Sequence, residues 1–267
     1  MLQIDKIDAL PFESIQYFTI PSGGTEAEIF SLPIYSGIIK NLPAAIDAII
    51  VTSDLQGVVK VKEECLLLGE YLADNLKTIF DLYYSKIDKE KVLVLLCGDL
   101  YTSLIKRGDS GDPSEVWKKF SSIFGNVIRI AGNHDCFENG SDSLNKIDNI
   151  CFLENGIVKY QGLTIAGLSG IIGRQDKNYR MPEPDYLKAL SGLMNKDPDI
   201  LLTHLSPEAK GFQGEPKMTS LLERLSPTTL FCGHSHWETN QPVFLKNGTG
   251  IINADAKVFI LTAISGD

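Results

Sequence analysis

The chain has 267 residues, 43% of them apolar, which is enough for one large α/β domain or two small ones with a real core. A net charge of −9 argues against stable nucleic-acid binding, because phosphate backbones select basic surfaces, yet it leaves room for a phosphorylated substrate held at a metal. No run approaches the ~18 apolar residues of a membrane span, the N-terminus lacks the basic start and apolar run of a secretory leader, and five cysteines without C-x-x-C spacing fit a reduced, cytoplasmic setting.

In chain order, "IQYFTI" (15–20) and "AEIFSLPIY" (27–35) flank "PSGGTE" and predict a hairpin. No linker follows it, so residues 1–45 read as a hairpin extension of one domain covering 1–267. "AIDAIIVTSD" (45–54) predicts a buried strand with a polar end. Residues 62–86 predict a long helix, with Cys65, Leu68, Leu72, Leu76, Ile79 and Tyr83 recurring at three- and four-residue steps. "KVLVLLCGD" (91–99) predicts a second buried strand. Residues 112–125 predict a helix with Asp112 as cap, Pro113 in the first position, Glu115 reaching back and Gly125 ending it.

"NVIRIAG" (126–132) is a third expected strand, and residues 156–170 predict a hairpin turning at Gln161-Gly162. Residues 185–194 predict a helix with Tyr186, Leu190 and Leu193 inward; "DILLTH" (199–204), "TLFCGH" (229–234) and "KVFILTAI" (257–264) add strands. Cys97 and Cys232, each ending an apolar run before a glycine, read as small core residues. Arg174, Lys177 and Arg180 form a basic island in 171–184 that reads as a solvated loop before a substrate grip. Residues 207–217 read as a rim loop or lid, and Trp237 as a core residue before a stacking one.

Five of these expected strands end in polar donors: Asp54 with Gln56, Asp99, Asn133 with His134, His204, and His234 with His236. All four histidines of the chain lie in these segments. Ligand groups of α/β proteins gather at the carboxyl ends of strands, where the backbone is fixed and loops leave room. Each piece alone has a bland explanation: an Asp after a strand commonly caps a turn, and a lone His is commonly a hydrogen-bonded structural residue. Their coincidence points to metal. The set holds carboxylates, amides and imidazoles but no thiolate, unlike a closed structural zinc site. Mixed N and O donors suit a hydrolytic site, and their number suits two ions sharing a carboxylate better than one tetrahedral ion.

The ordered segments "SDLQG", "CGDL", "GNHD", "LLTH" and "CGHSH" resemble the calcineurin-like metallophosphoesterase superfamily, whose pattern is D-x-H, G-D, G-N-H-[DE], a lone H and G-H-x-H. The resemblance runs from residue 54 to 236. It implies an α/β fold of four layers (αββα), two β-sheets packed face to face with helices outside. It also implies a two-metal site, manganese first, with iron, zinc, cobalt or magnesium as alternatives. Carried over to this chain, Asp54, Asp99 and His236 hold one ion with Gln56 at the family's first histidine position. Asp99 bridges to a second ion completed by Asn133, His204 and His234. His134 is then no ligand and faces the scissile phosphate. Asp135 has two readings, a carboxylate orienting the His134 ring and a structural turn residue.

The implied activity is hydrolysis of a phosphomono- or phosphodiester by a metal-bridging hydroxide, on a small phosphorylated substrate with nucleotides among the candidates. Gln56 departs from the pattern. Its amide oxygen is a neutral, harder donor than imidazole and disfavours zinc relative to manganese or magnesium. That departure keeps a second reading open, a catalytically weak metal-binding scaffold of the same fold. A different two-metal hydrolase, such as an amidohydrolase, would carry an H-x-H near the first strand, which is absent here.

Overall fold

The structure is a computed structural model that describes residues 2–21, 24–103, 108–137 and 149–263. Positions 22–23 of the expected first turn and 264 of the expected last strand lie outside the described residues. The first strands are β1 (Gln3–Ile7), β2 (Glu13–Thr19), β3 (Glu28–Lys40), β4 (Ala48–Ser53), β5 (Val58–Val61) and β6 (Glu64–Leu67). Helix α1 (Leu68–Tyr83), strand β7 (Val92–Leu96), helix α2 (Ser114–Ser121) and strands β8 (Asn126–Arg129) and β9 (Ile150–Phe152) follow. Next come β10 (Asn155–Tyr160), β11 (Leu163–Leu168), β12 (Ile171–Ile172), β13 (Arg180–Met181) and helix α3 (Glu183–Met194). The chain closes with β14 (Ile200–Thr203), α4 (Pro216–Leu222), β15 (Thr229–Cys232), β16 (Val243–Phe244), β17 (Gly250–Asn253) and β18 (Lys257–Ala263).

Two large sheets carry the molecule. One has the order β6-β5-β2-β3-β18-β4-β7-β8-β9, with β1 also on β3; the other has the order β10-β11-β14-β15-β17-β16. Strands β4, β7, β8 and β9 are mutually parallel, as are β11, β14, β15 and β17, so in each sheet these carboxyl ends point one way.

The layers follow from alternation along strands that are buried on both faces. On β4 and β7, Ala48, Ile50, Val92, Val94 and Leu96 face Leu68, Leu72 and Leu76 of α1 and Val116, Trp117 and Phe120 of α2. The alternate residues Ile49, Val51, Leu93 and Leu95 meet Ile165, Ile200, Leu202 and Phe231 of the second sheet. The far face of that sheet, including Leu201, Leu230 and Ile251, packs on Tyr186, Leu190, Met218 and Leu222 from α3 and α4. The result is the four-layer αββα sandwich. Among the described residues no helix is long and apolar enough to cross a membrane.

Several local expectations need correction. The helix expected over 62–86 starts only at Leu68; its first residues pair instead as a hairpin, Val58 with Leu67 through Val61 with Glu64. Lys62 turns that hairpin in the left-handed region, and Cys65 points to solvent, so its helical spacing from Leu68 was fortuitous. Asp112 accepts the backbone N–H of Ser114, but Pro113 is the N-cap of α2 and not its first helical residue, and Glu115 pairs with Lys118 and does not reach back. Gly125 does not end the helix, which stops at Ser121; it is required by close approach, since a Cβ there would overlap the Glu90 carbonyl oxygen. Within 207–217, Pro216 opens the short helix α4. The turn at Gln161-Gly162 lies where its chemistry placed it, both residues having positive φ.

The N-terminal strands are built into the larger sheet. Strand β3 pairs with β2 through Glu28–Ile34, with β1 through Gly37–Lys40, and on its other edge lies parallel to β18 from Ile34 to Ile39. Ile34 is fully buried in the core beneath α1. Ile34→Ala should therefore lower stability by about 2–5 kcal/mol, read as a fall in the urea midpoint. A midpoint equal to the parent's would mean that this strand merely decorates the fold.

Candidate metal centre

The polar strand ends converge at one edge of the sandwich. Asp99 follows β7, His204 follows β14 and His234 follows β15, and their donor atoms all lie within 4.8 Å of one another. Asp99 comes from one sheet and the two histidines from the other, so the cluster straddles the inter-sheet seam. The His204 and His234 rings stand 5.1 Å apart, centroid to centroid. Asp54, Gln56, His134, His236 and Asp255 line a cleft of about 700 Å³ beside it.

Backbone conformation delivers these side chains. Asp54, Asp99 and His234 occupy the left-handed region, with φ of 55°, 54° and 66°. Such residues cost about 1–3 kcal/mol each and persist where the surroundings over-determine them. Here hydrogen bonds do that. The Asp54 Oδ2 atom accepts from Ser53 Oγ at 2.7 Å and from the His234 N–H at 2.9 Å, joining the first and last ligand loops. The Asp99 Oδ1 atom accepts the His134 N–H at 2.8 Å, joining the second and third. Glycines make room: a Cβ at Gly132 would overlap Asp99 Oδ1, and one at Gly233 would overlap Asp54 Oδ2 and Ser53 Oγ.

Ring orientation is set from behind. His204 Nδ1 lies 2.8 Å from the Cys97 carbonyl oxygen, which can only accept, so Nδ1 carries the proton. Its Nε2 stands 3.1 Å from Asp99 Oδ2 but off the line of a hydrogen bond, and has no hydrogen-bond partner. Asn133 Oδ1 is likewise buried without a partner. A buried imidazole and carboxylate held together by charge, with a buried amide oxygen left without a partner, are what ligands aimed at a common cation look like. The residues present therefore fit a divalent ion.

Asp255 was missed by sequence reasoning. Its Oδ2 lies 2.7 Å from His236 Nδ1, which leaves Nε2 of that ring for the cleft. The segment "INADAK" supplies two further supports. Asn253 Nδ2 donates to the Ser235 carbonyl at 2.8 Å, and the buried Lys257 ammonium donates to that of Trp237 at 2.7 Å, so both brace the "GHSH" loop. The available signal was the same as elsewhere, polar residues ending an apolar run, but "GII" is too short to stand out.

Asp135 does not orient the His134 ring. His134 Nδ1 instead donates to the Gly108 carbonyl, 2.9 Å away. The fully buried Asp135 carboxylate accepts the N–H groups of Asp99, Leu100 and Gly132 at 2.9, 3.1 and 2.8 Å, pinning two ligand loops together. Arg174 is exposed and pairs with Asp176, and Trp237 is buried, stacked on Phe212 with its N–H on the Gln213 carbonyl. Cys97 and Cys232 are both fully buried in the apolar core.

The electrostatics are those of a cage holding protons where a cation belongs. Burial opposes a charge on His204, but Asp99 and Asp54 outweigh it and raise its pKa to about 10. Asp54 is raised well above the carboxylate range by burial and by Asp255, although it is partly open to the cleft. Asp135 is pushed up to about 6 by burial and by Asp99. His234 is lowered to about 4 by burial and by the charge on His204. Burial also pushes up the Asp99 carboxyl, but His204 and His134 more than offset it and hold it low.

The family model described as calcineurin-like phosphoesterase matches residues 48–238. No curated protein matches the chain. Among solved structures, a hypothetical protein from Thermus thermophilus shares 16% identity over 82% of this chain and 79% of its own, with a TM-score of 0.47. A protein of unknown function from Aquifex aeolicus shares 16% identity over 80% of this chain and 95% of its own, with a TM-score of 0.35.

A metal ion must displace the proton held on His204, so affinity should rise with pH, by about tenfold per unit for the proton displaced. Calorimetric titration of manganese between pH 6 and 8, in buffers of differing protonation enthalpy, measures both the slope and the protons released; a flat profile contradicts the proton-filled cage. Asp255→Asn should weaken metal binding about 10–100-fold while leaving the fold intact, as loss of a carboxylate behind a ligating histidine commonly does. The same titration on that variant, with a thermal melt as control, checks it.

Proposed function

The chain belongs to the calcineurin-like phosphoesterase family, and from that premise we propose that it hydrolyses a small phosphate ester at a pair of divalent ions. The observation that carries this reading is the Asp99–His204–His234 cluster, in which a buried imidazole has only the Asp99 carboxylate to face, together with the buried Asn133 Oδ1, which has no hydrogen-bond partner. A buried amide oxygen such as that of Asn133 costs about 1–3 kcal/mol when nothing binds it. An imidazole lone pair, an amide oxygen and a carboxylate are jointly satisfied by a cation.

Asp54, Gln56, Asp99 and His236 would hold one ion, and Asp99, Asn133, His204 and His234 the other. The oxygen-rich donor set favours manganese, with iron, zinc, cobalt or magnesium as alternatives. When bound, such ions supply Lewis-acid polarisation of a phosphoryl oxygen and a water acidic enough to be a nucleophile near neutral pH. The chain's own residues supply the rest. His134 keeps its Nδ1 proton on Gly108, so Nε2 is the atom that exchanges a proton with the departing oxygen. Asp135 acts at one remove, holding Asp99 and the 132–134 turn in register through backbone N–H groups. Ser53 and the His234 amide fix one oxygen of Asp54, which orients the carboxylate in the cleft.

Gln56 supports a second reading, a scaffold with a labile first ion and weak turnover. The two separate in one set of assays with manganese, phosphomonoesters, phosphodiesters and metal analysis. His134→Ala should keep both ions and lose about 10²–10⁴-fold in kcat, whereas Asp99→Ala should be depleted of both ions. An inactive parent that gains turnover in Gln56→His would establish the scaffold reading. Loss of metal from His134→Ala would remove that residue from its assigned role.

A further inference from the structure

The N-terminal hairpin lies outside the segment matched by the family, yet it forms one wall of the cleft. Tyr17, Thr19, Ile20, Pro21 and Phe30 line the same cleft as Asp54, Gln56, His134 and His236. Tyr17 on β2 and Phe30 on β3 are direct cross-strand partners, with ring centroids 6.1 Å apart and planes tilted by 36°. The Tyr17 ring presses on the backbone of Gly57, where a Cβ would overlap it. This fixes the pair beside Gln56.

The two rings differ in exposure. Tyr17 is only 6% exposed and serves as the support, whereas Phe30 is 38% exposed and opens into the cleft. An isolated exposed phenylalanine on a convex surface would need no explanation. This one sits in a concavity, on an aromatic support, in the cleft that His134 and the proposed ligands Asp54, Gln56 and His236 also line. Small-molecule sites have this character, an apolar or aromatic wall opposite a few convergent polar groups.

We propose that Tyr17 and Phe30 form an aromatic shelf that selects phosphate esters whose alcohol carries a flat aromatic ring. The inference rests on the phosphoesterase reading for the position of the phosphoryl group, and adds to it the class of leaving group. Phe30 is the residue that touches the ring, Tyr17 the one that holds Phe30 in place. A simple aryl alcohol and a nucleoside both offer such a ring, and either can stack because each presents a flat π-face.

The test compares calorimetric binding of phenylphosphonate and methylphosphonate to the manganese-loaded protein, with turnover of phenyl phosphate, a nucleoside monophosphate and propyl phosphate alongside. The expected result is a preference of about tenfold or more for the ring-bearing compounds, largely erased in Phe30→Ala and in Phe30→Leu. The leucine variant keeps apolar bulk and guards against a folding defect in the alanine variant, which a thermal melt would reveal. The better of the two aromatic substrates identifies the source of the ring. Equal affinity for the two phosphonates, or a preference that survives both substitutions, overturns the shelf. Turnover without an aromatic preference overturns the shelf and leaves the phosphoesterase standing. Absence of turnover on every ester, with the phosphonate preference intact and dependent on Phe30, does the reverse.

Discussion

A carboxylate from one sheet and an imidazole from the other meet as a buried ion pair at 3.1 Å across the seam of the sandwich. The contact between Asp99 and His204 exists only because two sheets bring their carboxyl ends to the same edge, and because His204 Nδ1 is tied to the Cys97 carbonyl of the opposite sheet. Burial makes this arrangement expensive for the protein alone. Charges and lone pairs removed from water need partners, and here the available partners are one another and the cation that the donor set fits. The apolar middle layer, with Ile49, Val51, Leu93 and Leu95 against Ile165, Ile200 and Leu202, keeps the seam closed beneath them.

Backbone strain and glycine packing are the second consequence. Three proposed ligands adopt left-handed backbone conformations, and two of the motif glycines exist to let a carboxylate oxygen sit where a Cβ would be. Local propensity does not favour this. Stability is surrendered at the rim and recovered in the fully buried strands below, which is the usual distribution where a site must be pre-organised. Asp135 shows the same logic in reverse, a buried carboxylate devoted wholly to backbone amides so that the neighbouring loops cannot move.

The N-terminal strands change the meaning of the cleft. Because β3 runs alongside β18 while its other end pairs with β2, the hairpin is carried at a fixed height over the edge where the proposed ligands lie. The cleft thus gains an aromatic and largely apolar contribution from the hairpin beside the polar strand ends, set by sheet register and by the close fit of Tyr17 on Gly57.

The amino-acid order alone determined which residues could serve as donors and that the buried strands deliver them. Fully apolar runs ending in Asp54, Asp99, His204 or His234 are legible because a strand buried on both faces has to be nearly all hydrophobic, so a polar residue at its end stands out. The turn at Gln161-Gly162 was legible for the same local reason. Tertiary structure decided everything that depends on residues distant in the chain. Leu68 rather than Cys65 opens the long helix because the preceding strand pairs back on β5. Asp255 stands behind His236, Gly108 rather than Asp135 holds the His134 ring, and Phe30 faces the cleft from a strand far upstream. Periodicity reports which face of an element is buried; it carries no information about what another segment places against that face.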